Sequence, residues 1–339
     1  MDWADILSYG FLLTGVLMIL LPVFWMFMSS IKSEGALLAN DPRLLPYDHM
    51  KIVAEGHKRP LSLFTLEKPD GSKEEVAFVR AKGQKAVVIR PDDPTREFEV
   101  TRSRLIKKEA VVPHWENYTD PTLGTSLSIF NFPRYFFNSV FVTTVATALT
   151  LLINAMAAFA LSKYRFTGQK AAILIIIATL LIPPTVILVP LFIVVKYFGM
   201  FNSLWGVIIP GAATPTGVFL LRQYMLTIPD ELLEAARMDA ASEWKIFWRI
   251  VFPLSLPAIA VLAILSVIWR WNDFLWPLIV LTHNEVYTLQ IGLSTFKGEL
   301  NDNTHYLLAM TVLTLLPVTA VFAFLQKYIT TGIASTGMK

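Results

Sequence analysis

Long apolar segments recur along the chain and alternate with short polar ones. A helix of about 20 residues crosses a hydrocarbon core of roughly 30 Å, so these segments can span a membrane. We predict six transmembrane helices, at residues 9–30, 136–161, 171–195, 204–221, 254–281 and 306–328. A signal peptide is the alternative for the first segment, but Asp2 and Asp5 stand where such a peptide carries basic residues, and no small-residue cleavage site follows. We therefore expect a retained span.

Basic residues in the short loops predict how these helices are oriented. Lys196 and Lys297 fall on one side of the predicted topology. Nine basic residues fall on the other side: Lys163, Arg165, Lys170, Arg222, Arg237, Lys245, Arg249, Lys327 and Lys339. Because basic short loops stay inside, the second side is predicted to be cytoplasmic, with both chain termini. Residues 33–130 then lie outside the cytoplasm, since long loops translocate largely regardless of their charge.

Charge is distributed unevenly along the 339 residues. Only 16% of residues are charged, against about 25% in soluble domains. Residues 33–130 hold 15 of the 29 Lys and Arg and 15 of the 26 Asp and Glu. The chain is therefore interpreted as a membrane protein that carries an inserted polar segment. The net charge of +3 is too small to suggest nucleic acid, and the absence of cysteine excludes disulfides and thiolate metal sites.

The inserted segment contains short β-prone runs. They occupy residues 61–66, 76–79, 85–89 and 97–100, and turn-forming residues separate them. We predict a small antiparallel sheet or barrel of three to five strands, at about residues 57–112. A spacer or docking module is favoured over a catalytic domain, because the histidines near this segment form no ligand cluster.

Motifs of soluble enzymes are absent from the sequence. It contains no phosphate-binding loop, dinucleotide fingerprint, zinc-protease motif or nucleophile elbow. The chain therefore has no P-loop of its own for ATP. His283 and His305 are interpreted as isolated polar loop residues and not as a metal pair.

The loop at residues 228–253 has the pattern of a helix–turn–helix on the membrane surface. Pro229 suits a first helical turn, and Asp230 and Glu231 suit the positive end of the helix dipole. A second amphipathic stretch follows, in which Trp244, Phe247, Trp248 and Val251 are predicted to share a face. A helix that lies on lipid is the alternative. The alanines beside Glu234 favour docking, because small residues let a partner approach closely.

This loop resembles the EAA motif of ABC importer permeases, specifically the MalG-like subunits of carbohydrate importers. Further segments resemble the same family in order and spacing: 138–139, 157–168, 198–203, 220–224, 271–274 and 326–332. The resemblance covers about 240 residues, all but the insert. It implies an all-α polytopic membrane protein with the six helices of the type I ABC importer (MetI/MalG-like) fold and a small inserted extracytoplasmic β domain. The implied domains are a first transmembrane helix at 1–32, the insert at 33–130, a five-helix permease core at 131–330 and a cytoplasmic tail at 331–339.

The resemblance also implies a function and partners. The chain would be a non-enzymatic permease subunit in the bacterial inner membrane, importing a carbohydrate such as an oligosaccharide or α-glucoside. It would pair with a second, MalF-like permease, two ATPase subunits, an extracytoplasmic sugar-binding protein and membrane lipid. ATP and Mg would be bound by the ATPase subunits, and this chain would bind no cofactor or metal. The alternatives are an ABC permease for a non-sugar solute, a membrane sensor that uses the outer β domain, and an intramembrane enzyme.

The EAA loop would form a coupling helix that docks on the ATPase. Leu233, Ala235, Ala236 and Met238 would supply the docking surface, Glu234 its charged anchor, and Asp239 the cap between the two short helices. Ala240 stands where the family usually has glycine, so a turn with positive φ is disfavoured there. The tail at 331–339 either reaches the ATPase interface or frays.

Few polar residues lie inside the predicted spans. Arg270 and Asp273 are expected to form a structural i, i+3 pair, or to act with Asn272 at the outer gate or receptor interface. Asn154 is expected to make an interhelical hydrogen bond, with a contact in the translocation path as the alternative. The Pro183-Pro184 pair is expected to break or kink the third span.

Overall fold

The apolar segments form helices in the computed structural model, which describes residues 3–38, 43–54, 60–68, 71–123, 130–297 and 303–336, with only the backbone described for 327–336. Parts of the predicted insert, including residues 57–59 and 124–129, and the last three residues of the predicted tail lie outside the described residues. The chain divides into two units: Met1–Thr119 with Glu299–Val312, and Asp120–Gly298 with Leu313–Lys339.

The first unit joins a long helix to short antiparallel sheets. Its elements are α1 (Trp3–Ser30), α2 (Glu34–Leu38), β1 (Tyr47–His49), β2 (Lys51–Ile52), β3 (Leu61–Glu67), β4 (Lys73–Lys82), β5 (Lys85–Arg90), β6 (Asp93–Thr101), β7 (Leu105–Lys107), β8 (Glu109–Val111) and the start of α3 (Glu116–Leu123). The larger sheet has the order β2-β3-β4-β5-β6, and β7 also pairs with β3. β1 pairs only with β8.

Strand β5, which lies between β4 and β6 in the larger sheet, is buried on both faces. Successive residues of a strand point to opposite faces. Val88 accordingly belongs to one apolar cluster with Val76, whereas Ile89 belongs to another with Ala77. The four β-prone runs of the sequence fall in β3, β4, β5 and β6. The remaining strands have two or three residues each, which is too short for a periodic signal.

The second unit is helical. Its elements are α4 (Phe132–Lys163), α5 (Gln169–Thr179), α6 (Leu188–Tyr197), α7 (Leu204–Ile208), α8 (Pro215–Met225), α9 (Asp230–Met238), α10 (Glu243–Ile246), α11 (Phe252–Leu254), α12 (Leu256–Asn272), α13 (Leu275–Val280), α14 (Leu289–Ser294) and most of α15 (Thr304–Thr336). Asn131 caps α4 by accepting a hydrogen bond from the Arg134 amide at 3.2 Å.

Among the described residues, three helices are long and apolar enough to cross a membrane: Trp3–Ser30, Phe132–Lys163 and Thr304–Gln326. Three bent pairs pass the same test when each pair is taken as one span. These are Gln169–Thr179 with Pro184–Tyr197, bent by 99°, Leu204–Gly211 with Pro215–Met225, bent by 41°, and Glu243–Leu254 with Leu256–Asn272, bent by 76°. The break expected at Pro183-Pro184 is confirmed, because these prolines separate the two helices of the most strongly bent pair.

Two predicted boundaries are wrong in detail. The segment 254–281 is not one helix, since α12 ends at Asn272 and α13 begins at Leu275. Asp273 has extended backbone angles and its carboxylate accepts a hydrogen bond from the Trp276 amide at 3.4 Å, which starts the new helix. The backbone of α15 continues as a helix to Thr336, so the first residues of the predicted tail, 331–336, belong to that helix.

An apolar core joins α4, α8 and α12 to the loop that follows α8. Ala155, Ala158, Leu221, Met225 and Leu262 are all buried in it. This cluster determines where α9 is held.

Candidate functional site

The surface loop predicted as a helix–turn–helix is formed by α9, α10 and the turn between them. Pro229 precedes α9 with extended backbone angles. The Lys163 ammonium group, at the end of α4, donates to the Ile228 carbonyl at 2.6 Å and to the Asp230 carboxylate at 2.7 Å. The Lys163 side chain is only 2% exposed, and its hydrogen bond lowers the pKa of Asp230. The start of α9 is therefore fastened to α4.

One face of α9 packs on the protein and the other is exposed. Leu233 is 1% exposed and lies in the core cluster, and Ala236 packs against the same cluster. Glu231, Leu232, Glu234, Ala235 and Met238 are exposed, Met238 at 88%.

This burial pattern corrects the sequence prediction of the docking surface. Leu233 is buried, so it holds the helix in place and cannot contact a partner in this arrangement, whereas Ala236 is only partly buried against the core. Ala235 and Met238 are available on the surface, and Glu234 is exposed beside them. Leu232, which the sequence analysis did not select, belongs to the same exposed face.

The turn after α9 is a Schellman motif built on alanine. The Ala241 amide donates to the Ala236 carbonyl and the Ala240 amide to the Arg237 carbonyl, both at 3.0 Å. Ala240 adopts a φ of 55°, in the left-handed region where this motif usually has glycine. The left-handed bend is therefore retained although alanine replaces glycine. Asp239 acts as the C-cap through its backbone amide.

Side chains on both sides of this turn fix the second short helix. Ser242 caps α10 by accepting a hydrogen bond from the Lys245 amide at 3.3 Å. Glu243 accepts from the Arg237 guanidinium at 2.8 Å and from the Tyr164 hydroxyl at 2.5 Å. The hydrogen bond from Arg237, followed by that from Tyr164, lowers the pKa of Glu243.

The environment of Tyr164 reflects the same network. Burial, together with the hydrogen bond to Glu243, raises the pKa of Tyr164 to about 12.

After α10 the chain forms a π-helical turn at Phe247–Val251, in which Phe247 and Val251 are buried while Trp248 is exposed. The face predicted to be shared by Trp244, Phe247, Trp248 and Val251 is thus divided between core and surface. The loop is a rigid two-helix element with one exposed face.

Arg270 and Asp273 do not form the predicted structural pair. Within the described residues Arg270 has no ion pair with Asp273, and its guanidinium donates to the Gly211 carbonyl and weakly to Thr150 at 3.5 Å. Asn272 is exposed and its amide donates to the Ile268 carbonyl of its own helix at 2.9 Å.

Asn154 makes the expected interhelical hydrogen bonds. Its amide donates to the Thr214 hydroxyl at 2.7 Å, and its carbonyl accepts from the Thr214 amide at 3.1 Å. Asn154 is fully buried, so it does not face a path in this conformation.

A polar face of α4 was missed by the sequence analysis. It consists of five buried residues at intervals of four, four, three and four: Ser139, Thr143, Thr147, Thr150 and Asn154. The spacing places these residues on one face of the helix, so helical periodicity applied to hydroxyl residues would have revealed it. Ser139 accepts from the Leu289 amide at 2.7 Å, and Thr147 bonds Ser266 at 2.9 Å.

The part of the chain that the structure describes contains no group of three or more His, Asp or Glu residues able to hold a metal ion. His283 is exposed and belongs to no metal-binding group among these residues.

Long apolar helices and interrupted spans define the class of the chain, a multi-pass membrane protein. Residues 150–335 match the family described as binding-protein-dependent transport system inner membrane component, so the chain belongs to this family. It is an ABC transporter permease, and in ABC importers separate subunits hydrolyse ATP.

Relatives support this assignment along much of the chain. The arabinooligosaccharides transport system permease protein AraQ of Bacillus subtilis is 37% identical over 228 residues, which cover 67% of this chain and 80% of the relative. AraQ of Halalkalibacterium halodurans is 39% identical over 205 residues, covering 60% and 74%. The diacetylchitobiose uptake system permease protein NgcG of Streptomyces coelicolor is 29% identical over 238 residues, covering 68% and 77%.

A solved structure shows the same fold. It is a crystal structure of a bacterial ABC transporter involved in the import of the acidic polysaccharide alginate, with a TM-score of 0.66 and 21% identity. The alignment covers 97% of this chain and 98% of the other, so it extends over the strands of the insert as well as the helices. The chain therefore has the fold of a type I ABC importer permease.

Proposed function

We propose that the chain is the permease subunit of an ATP-driven importer for an oligosaccharide, with an α-glucoside as one candidate cargo. The support is the set of relatives, whose names specify arabinooligosaccharides, diacetylchitobiose, and melibiose, raffinose and stachyose. The proposed assembly contains a second MalF-like permease, two ATPase subunits that bind ATP and Mg, and an extracytoplasmic sugar-binding protein. This chain binds no cofactor.

The proposed orientation puts six spans in the inner membrane, with both termini and the α9–α10 loop in the cytoplasm. The basic residues around this loop, including Lys163, Arg165 and Lys245, support it. Residues 33–130, with the strands of the first unit, then lie outside, where they can contact the binding protein or the partner permease.

In this mechanism α9 is the coupling helix. Its exposed face, formed by Glu231, Leu232, Glu234, Ala235 and Met238, docks on the ATPase. Leu233 on the opposite face is embedded among residues of α4, α8 and α12. Because packed interiors resist compression, a displacement of α9 moves these helices with it and changes access to the translocation path. The burial of Leu233 beneath an exposed, rigid turn is the observation that carries this proposal.

Charge reversal at Glu234 tests the coupling role. We expect Glu234→Lys to abolish ATP-driven uptake while the subunit still inserts in the membrane, because the exposed carboxylate is replaced by a repelling cation. The measurement is uptake of labelled oligosaccharide by proteoliposomes holding the whole transporter. Glu285→Lys is the matched control, since Glu285 is also exposed but lies after α13, outside both the α9–α10 loop and residues 33–130. Wild-type uptake in Glu234→Lys would refute the docking role.

A permease for a non-sugar solute is the second candidate. It is favoured by the sn-glycerol-3-phosphate transport system permease protein UgpE of Rhizobium meliloti, which is 31% identical over 264 residues covering 76% of this chain. Thermal-shift screening of the cognate binding protein separates the two candidates. Stabilisation by oligosaccharides supports the first, and stabilisation only by glycerol phosphates supports the second.

A further inference from the structure

The segment from α7 to α8 contains two prolines that interrupt helical hydrogen bonding. Pro210 has no backbone N–H, so the carbonyl four residues earlier loses its helical donor. Pro215 begins α8 after Thr214, whose backbone is extended, so the carbonyl four residues before Pro215 lies at a helix end and also has no helical donor. These carbonyls belong to Gly206 and Gly211. The helix bends by 41° here. In a membrane no water is at hand to satisfy such groups, so neighbouring helices must do so.

Both free carbonyls accept a hydrogen bond from the segment formed by α12 and α13, and the Gly211 carbonyl also accepts from the Thr150 hydroxyl of α4 at 3.4 Å. The Trp276 indole N–H donates to the Gly206 carbonyl at 3.2 Å, and the Arg270 guanidinium donates to the Gly211 carbonyl. Asp273 accepts from the Trp276 amide at 3.4 Å and so starts the helix that carries the indole.

Glycine is needed at position 206, where a Cβ would meet backbone, and at position 211 it leaves room for the Arg270 guanidinium. A Cβ at Gly211 would overlap the Arg270 guanidinium, and a Cβ at Gly206 would overlap the Met200 carbonyl and lie 3.0 Å from Val280 Cγ1. The two segments approach each other closely because neither glycine has a side chain. The close approach of the two segments therefore depends on the glycines at positions 206 and 211.

The chain below the break is fastened to α4 and continues into the coupling loop. Asn154 bonds Thr214 at the upper end of α8, and the Arg222 guanidinium donates to the Leu161 carbonyl at 3.1 Å near its lower end. Eleven residues of α8, Pro215–Met225, give a length of roughly 16 Å. The break thus lies about one helix length above the start of α9.

We propose that Arg270 and Trp276 are positioning residues that latch the broken α7–α8 segment to α12 and α13, and that this latch is needed to convert movement of α9 into transport. The inference rests on the proposed function. Without these two hydrogen bonds, α8 still moves with the coupling helix α9, but α7 no longer moves by a matching amount. ATP is then hydrolysed with less cargo moved per cycle.

The test compares variants that remove one donor each. Trp276→Phe keeps the ring and loses the N–H, and Arg270→Met keeps the length and loses the guanidinium. Trp269→Phe is the matched control, because Trp269 is exposed in the same stretch and has no hydrogen bond to either carbonyl. The whole transporter is reconstituted in proteoliposomes, and oligosaccharide uptake and ATP hydrolysis are measured in the same preparation.

We expect uptake per ATP hydrolysed to fall about tenfold in Trp276→Phe, the factor that corresponds to one unsatisfied buried carbonyl. The fall should be smaller in Arg270→Met, because the Thr150 hydroxyl still reaches the Gly211 carbonyl at 3.4 Å. The ratio should stay unchanged in Trp269→Phe. Co-purification of the ATPase should also be unchanged. Unaltered ratios in both donor variants would overturn the latch.

A second substitution separates the latch from simple packing. Arg270→Lys keeps a cationic N–H donor at the same position and loses only the planar guanidinium. We expect Arg270→Lys to retain part of the ratio that is lost in Arg270→Met. Equal loss in the two variants would overturn the assignment of Arg270 to the Gly211 carbonyl. If the wild-type transporter shows no ATP-driven uptake, the proposed function fails, whereas wild-type uptake with unaltered variants defeats the latch alone.

Discussion

The alanine at the left-handed position of the coupling loop allows a quantitative prediction. Ala240 has a φ of 55° and is exposed, so replacing it by glycine changes backbone strain without removing a contact in the core. A left-handed conformation costs an L-residue roughly 1–2 kcal/mol. Glycine removes that cost but loosens the unfolded chain by about 0.4–1 kcal/mol. The difference predicts that Ala240→Gly stabilises the turn by about 0.5–1 kcal/mol.

Hydrogen exchange measures this local stability directly. The Ala241 amide donates across the turn to the Ala236 carbonyl, so its exchange reports opening of the motif. The expected stabilisation corresponds to about two- to fivefold slower exchange at this amide, because 1.4 kcal/mol is a factor of ten. Exchange would be followed by mass spectrometry on the purified subunit, in a peptide that spans the turn.

A glycine placed in an ordinary helical position provides the control. Ala235 lies inside α9, where glycine costs about 1 kcal/mol relative to alanine, so Ala235→Gly should speed exchange in the same peptide. Opposite signs for the two substitutions would identify the left-handed backbone as the cause. Faster or unchanged exchange in Ala240→Gly would refute the argument.

Two further predictions concern how α4 holds the loop. Lys163→Met should release the start of α9 and speed proteolysis between Ile228 and Asp230, since a hydrogen bond from a charged group contributes about 1.5–3 kcal/mol. Lys170→Met, at an exposed lysine, is the control. Equal rates of cleavage in the two variants would contradict the prediction. Tyr164→Phe should remove a tyrosinate absorbance that titrates near pH 12 and not near pH 10. Because the pKa of Tyr164 is raised in the folded state, the protonated hydroxyl stabilises the fold fully below pH 10, and this contribution is lost as the pH rises toward 12.

The predictions from sequence were best where a signal is local. Runs of apolar residues located the membrane helices, and the proline pair at 183–184 located a break, because both effects act within a few residues. The helix–turn–helix at 228–253 was located by its proline, its acidic first turn and its alanines. The short strands β1, β2, β7 and β8 carry too few residues for any periodic signal and were missed.

Residue roles in the loop depended on packing. The sequence shows Leu233 and Met238 as two apolar residues of one amphipathic helix, and each is a reasonable docking residue by type. Only the position of the core cluster decides that Leu233 is buried and Met238 is exposed. Arg270 and Asp273 stand three residues apart, a spacing typical of a helical ion pair. The end of α12 at Asn272 prevents that arrangement.

The sequence by itself determined that this protein crosses a membrane, where its charged segment lies along the chain and which loop resembles a coupling motif. Hydrophobicity, charge and proline act through local free energies that do not depend on which residues are neighbours in the tertiary structure. The tertiary structure decided which polar groups meet. Pro210 and the helix end before Pro215 leave two carbonyls without helical donors, but only the packing of α12 and α13 against α7 brings the Trp276 and Arg270 donors to them. Such contacts join residues about 60 to 70 positions apart, a relation that no periodic pattern in the chain encodes.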